Sequence, residues 1–125
     1  MLNHDVTQST GNLRISREVI ATIARYAALE IEGIDSLASF ATNLKGWLLK
    51  KQSARPVSID LNDDVAEICL HINVKAGVNI PKTSEKVQHA VKEAVQNMTG
   101  IVVSRVNIVI AGIVFDESAQ QLPEE

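Results

Sequence analysis

From Ala66 to Lys75 the chain alternates without a break. Ala66, Ile68, Leu70, Ile72 and Val74 fall on one parity, and Glu67, Cys69, His71, Asn73 and Lys75 on the other. Successive side chains of a strand point to opposite faces, so this segment reads as a β-strand with one apolar and one polar face. Its aliphatic row requires cover from a second layer. Just upstream, Val57, Ile59 and Leu61 alternate with Ser58 and Asp60, and Asn62-Asp63-Asp64 supplies turn residues. The two strands form a hairpin whose apolar sides agree, because a slip of one residue would send one apolar row into water.

Helical patterns on either side provide the cover. Ser16 is placed as an N-cap, and Glu18 sits in the first turn where the helix dipole favours negative charge. Ile20, Ile23, Ala24, Ala27, Ile31 and Ile34 follow at helical spacing, and Gly33 is a stop signal. The expected helix spans 17–32. A second begins at Pro81, carries Thr83, Val87, Val91, Ala94, Val95 and Met98 on one stripe, and ends at Gly100. The last element, about Val102 to Phe115, is rich in Val and Ile on both parities, which suits a central strand, with Gly112 marking a bulge. A short strand at Leu13–Ile15 is compatible with the pattern. The expected class is therefore α+β: a two-layer domain with two amphipathic helices on one face of a three- to four-stranded, mainly antiparallel sheet, in the order (β)-α-β-β-α-β.

A chain of 125 residues holds one such core. Residues 11–115 are expected as a single domain, 1–10 as a flexible N-terminus and 116–125 as an acidic flexible tail. Aromatics make up only 3% and the net charge is −3. Both argue against a nucleic-acid binder that stacks bases on aromatic rings in a basic groove. The single Cys69 leaves no intramolecular disulfide, no basic-then-apolar leader is apparent, and the longest apolar run is Ile108–Phe115. The expected location is the cytoplasm, with any membrane association supplied by a partner.

Chemistry-bearing constellations are sparse. Cys69 and His71 share a strand face, the one pairing that suggests a nucleophile or half a metal site. Neither a second ligand nor an orienting acid completes it, so no catalytic, metal or cofactor residues are assigned. No phosphate-binding glycine motif occurs. Two surfaces remain. In one, Phe40, Leu44, Lys45, Trp47, Lys50 and Lys51 read as a short basic amphipathic segment, inside a stretch free of acidic residues between Asp35 and Asp60. The competing reading, favoured by Gly46 and the shortness of the segment, is that its apolar residues cap the open end of the core while the lysines face water. In the other, the uncovered sheet face presents Cys69, His71, Asn73, Asn107 and Val109.

The run Ile15-Ser16-Arg17-Glu18-Val19-Ile20-Ala21-Thr22-Ile23-Ala24, continuing through Ala27–Ile34, resembles the opening helix of the alkaline shock protein family. Gly77-Val78-Asn79-Ile80-Pro81, Met98-Thr99-Gly100, Val106-Asn107-Ile108 and Ala111-Gly112-Ile113 extend the resemblance over residues 11–115. Members of that family are small cytoplasmic proteins of Gram-positive bacteria linked to alkaline or envelope stress. Some are held at the membrane by a separate anchored protein, and self-association is reported among them. No activity or cofactor is established for the family, so none is implied here. Where several members carry a glycine-rich stretch, Gln52-Ser53-Ala54-Arg55-Pro56 stands instead, and Trp47 matches no family pattern. The resemblance implies a non-catalytic protein that associates with itself or with an envelope-associated protein partner. The alternative is a KH-like RNA-binding module, suggested by element order alone and lacking the G-x-x-G clamp.

Overall fold

A computed structural model describes residues 10–38 and 55–116. The Phe40–Lys51 segment, residues 1–9 and residues 117–125 lie outside the described residues.

Helix α1 spans Arg17–Leu29. Ser16 holds extended backbone, and its hydroxyl accepts from the Val19 N–H at 3.2 Å, as an N-cap should. The helix closes earlier than its apolar spacing suggests. Gly33 adopts φ +102° and redirects the chain, so Ile34 begins strand β1 (Ile34–Leu37) rather than ending the helical stripe. A Cβ at Gly33 would lie 2.9 Å from Val78 Cγ1, so the turn is also packed too closely for a side chain. The additional strand thus follows α1, and residues 11–16 carry none.

Strands β2 (Val57–Asn62) and β3 (Val65–Lys75) form the expected hairpin. Val57 faces Leu70, Ile59 faces Ile68 and Leu61 faces Ala66, so the apolar rows coincide. Asp63 takes the left-handed conformation at φ 54°, which a short side chain able to bond its own backbone tolerates. β1 pairs antiparallel with the far half of the same edge of β3, with Ile34 opposite Val74 and Leu37 opposite Ile72.

Helix α2 spans Ile80–Thr99. Asn79 caps it by accepting from the Lys82 N–H at 3.0 Å, Pro81 sits in its first turn, and Gly100 ends it at φ +79°. It carries the chain over the sheet into strand β4 (Val102–Val114), which runs parallel to β3 from Val65/Val102 to Lys75/Val114. A parallel neighbour requires such a crossover. The sheet is therefore antiparallel in two pairings and parallel in the third. Among the described residues β4 is an edge strand rather than the central one its composition suggests; β3 is central.

Both helices lie on the apolar side. Ile20, Ala24 and Ala28 of α1 and Val87, Val91 and Val95 of α2 are fully enclosed against Ala66, Ile68, Leu70, Ile72 and Val74. Each enclosed Ile, Leu or Val stabilises the fold by about 1.5–3 kcal/mol. Met98, counted in the helical stripe by spacing, points outward and is 72% exposed.

Candidate functional site

Among the described residues neither helix covers the other face of the sheet, and the ladder fixes its layout. Ser58, Cys69 and Asn107 form one cross-strand row; Asp60, Glu67 and Arg105 form the next. His71 lies opposite Val109, and Asn73 opposite both Ser36 and Gly112. Directly paired residues point to the same side. The four sheet residues expected together, Cys69, His71, Asn73 and Asn107, therefore do share one face. Two hydrogen bonds stiffen it: Asn107 Nδ2 donates to Glu67 Oε2 at 2.9 Å, and Asn73 Nδ2 to Ser36 Oγ at 3.1 Å.

Cys69 is half-buried in this face. Burial, and secondarily the charge of Glu67, push its thiol above the ordinary value of 9.0. An attacking thiolate needs the opposite shift, from a nearby cation or helix N-terminus. Among the described residues no group of three or more His, Cys, Asp or Glu side chains is placed to hold a metal. His89 pairs with Glu93 at 2.9 Å on the exposed side of α2, away from Cys69.

The free edge of β4 is more distinctive. Near its start, α2 reaches across: Gln96 Oε1 accepts from the Val103 N–H at 2.9 Å, and Gln88 Nε2 donates to the Val106 carbonyl at 3.0 Å. Among the described residues no α2 side chain bonds the strand beyond Val106. From Asn107 to Val114 the outer edge of β4 has no strand beside it there. That half carries Val109, Ile113 and Val114, followed by Phe115, between 40% and 57% exposed. A long apolar edge without charge, Pro or cover is a template for another strand.

A third feature was not apparent as a site in the sequence. A groove of about 450 Å³ lies between α1 and the start of β2, lined by Arg17, Glu18, Ala21, Thr22 and Arg25 on one side. The opposite wall is Arg55 through Ile59. Arg17, Ala21 and Arg25 do share a helical face by their spacing, but Arg55 is thirty positions from Arg25 in sequence and joins them only through the fold.

Fold and surfaces together define a two-layer α+β domain whose second sheet face and β4 edge are uncovered among the described residues. The sequence model of the alkaline shock protein 23 family, described as having a cell envelope-related function, matches residues 5–115. The chain belongs to that family. It is 35% identical to the uncharacterized protein YqhY of Bacillus subtilis, across 97% of this chain and 90% of that one. With the uncharacterized protein YloU of the same organism it shares 33% identity, across 82% and 88%. A MamM CTD variant aligns with 76% of this chain and 93% of its own at 13% identity and a TM-score of 0.48. Among the described residues no helix is long and apolar enough to cross a membrane.

Proposed function

We propose that this protein is a non-catalytic contact module of the bacterial cytoplasm. It assembles with itself, or with an envelope-associated protein that brings it to the membrane. The observation that carries this reading is the second half of β4, where a backbone edge unpaired among the described residues coincides with exposed Val109, Ile113, Val114 and Phe115. A chain left this way invites strand pairing, and folded proteins ordinarily blunt or cover such edges. The adjoining sheet face, with Cys69, His71, Asn73 and Asn107, continues the same surface. The Phe40–Lys51 segment, with Leu44, Lys45, Trp47 and Lys50, is a second contact region in this reading.

The test is sedimentation of the full chain over a range of concentrations, together with capture of partners from cells with and without nuclease. Wild type should gain mass with concentration or recover an envelope protein that survives nuclease. Val109→Lys and Ile113→Lys should lose that association while keeping wild-type circular dichroism. A protein that stays monomeric, and whose edge variants recover the same partners as wild type, would remove this reading. So would partners that disappear with nuclease, which would move the function to RNA.

A further inference from the structure

The groove between α1 and β2 has three properties that belong together. Its strand wall includes Val57 and Ile59, which face the core, and Ser58, which faces the opposite side of the sheet. Residues from both faces of a strand can line one cavity only at the strand's edge. β2 pairs with β3 alone among the described residues, so the groove runs along a free backbone edge.

The second property is charge. Arg17, Arg25 and Arg55 line the groove and are exposed, while Glu18 is the one carboxylate on its walls. None of the three arginines is ion-paired among the described residues; Arg25 instead lies 5.9 Å from the centre of the Tyr26 ring. Guanidinium groups are the side chains best matched to carboxylates, because their planar fork donates two parallel hydrogen bonds.

The third is spacing. Arg17 and Arg25 are eight residues apart on one helical face, about 12 Å along the axis. In an extended chain, side chains four residues apart lie on one side and are separated by about 13 Å. A helix beside a free strand edge is also a geometry in which an extended peptide can add as a strand.

The geometry points to a peptide-binding groove: an extended acidic segment of a partner protein adds to the free edge of β2, its carboxylates held by Arg17, Arg25 and Arg55. This deepens the contact-module reading and rests on it, but uses the edge of the sheet opposite to β4. Thr22 and Ser58 also line the groove, the Thr22 hydroxyl donating to the Glu18 carbonyl at 2.9 Å, and the Glu18 carboxylate disfavours an anion beside it.

The experiment uses the full chain and two labelled synthetic peptides of about ten residues, both Thr- and Val-rich to favour the extended state. One carries Glu at positions four apart, the other Gln. Fluorescence anisotropy should show saturable binding of the Glu peptide and at least about tenfold weaker binding of the Gln peptide. Each of Arg17→Gln, Arg25→Gln and Arg55→Gln should weaken binding about two- to fivefold, the range of an exposed ion pair. Raising salt from about 0.05 M to about 0.5 M should weaken it further. Amide NMR shifts should concentrate at Arg55–Ile59 and Arg17–Arg25.

Arginine variants that bind the peptide as wild type does, or shifts lying elsewhere, would overturn the proposal. So would the absence of any binding, or tighter, arginine-dependent binding of polyphosphate or an RNA oligonucleotide. Sedimentation of the same arginine variants separates the two readings. If the groove fails while association through β4 persists, only the groove proposal falls. If association is also absent in wild type, the contact-module reading falls with it.

Discussion

Strands β3 and β4 pair with each other from end to end, yet they have opposite fates. β3 has partners on both edges, and its even-numbered side chains from Ala66 to Val74 are sealed beneath the helices. β4 has one neighbour among the described residues, and its helix-side residues emerge progressively: Val103 is enclosed, Val106 nearly so, Ile108 and Ile110 partly, and Ile113 is half exposed. The difference lies in alternation. β3 spends its apolar residues on one parity, which is what one covered face requires. β4 is apolar on both, more than the described residues enclose.

The sharpest way to break this comparison is to delete the same atoms from each strand. Ile72→Ala removes methyl groups from a sealed site and should cost about 2–5 kcal/mol in urea unfolding. Ile113→Ala should cost less than about 1 kcal/mol in dilute monomer, since half of its surface is already in water. Equal losses would mean that β4 is as enclosed in solution as β3, and the contrast between the two strands would be void.

A smaller effect probes where the two strands are tied together. The parallel register slips between Ile72 and Asn73, leaving Ala111 as the extra residue before Gly112. A Cβ at Gly112 would meet Asn73 Oδ1 at 2.9 Å, and Asn73 is already committed to Ser36. Gly112→Ala should therefore displace the Asn73 side chain and lose about 0.5–1.5 kcal/mol, roughly one hydrogen bond. In an Asn73→Ala background the loss should vanish. A penalty that survives there would place the strain in the bulge backbone instead.

How much of this is legible in the sequence follows from the same contrast. Strict alternation in β2 and β3, the N-cap at Ser16, the first-turn Pro81 and the stop at Gly100 are local signals, and each element they announce is present. β1 escapes a reading by periodicity because Ile31 and Ile34 also satisfy helical spacing; only the backbone turn at Gly33 distinguishes them. The edge position of β4 is misread from sequence because two apolar parities fit a central strand as well as an edge awaiting cover. Cys69, His71, Asn73 and Asn107 fall on one face as expected, since parity alone puts them there. The arginine groove is out of reach because Arg55 meets α1 only through the tertiary fold.

The smallest effect sharpens the comparison at the outer face. Neighbours on both edges partly enclose Cys69 of β3, whereas Val109 of β4 is 42% exposed. Burial first, and Glu67 second, raise the Cys69 thiol above 9.0. The folded state thus prefers the neutral thiol more than the unfolded chain does. That contribution is complete below the unfolded value, near 9.0, and is lost as pH rises through the higher folded value. Alkylation by iodoacetamide should accordingly reach its midpoint at a higher pH in the native protein than in the unfolded chain. Glu67→Gln should bring the midpoint only part of the way back, because burial is the larger cause. A thiol placed on β4 by Val109→Cys, in a Cys69→Ser background, should titrate closer to the unfolded chain, lacking the second neighbouring strand. A Cys69 midpoint at or below the unfolded one would require a cation or donor beside the sulfur, and would make the Cys69–His71 pair a chemical site after all.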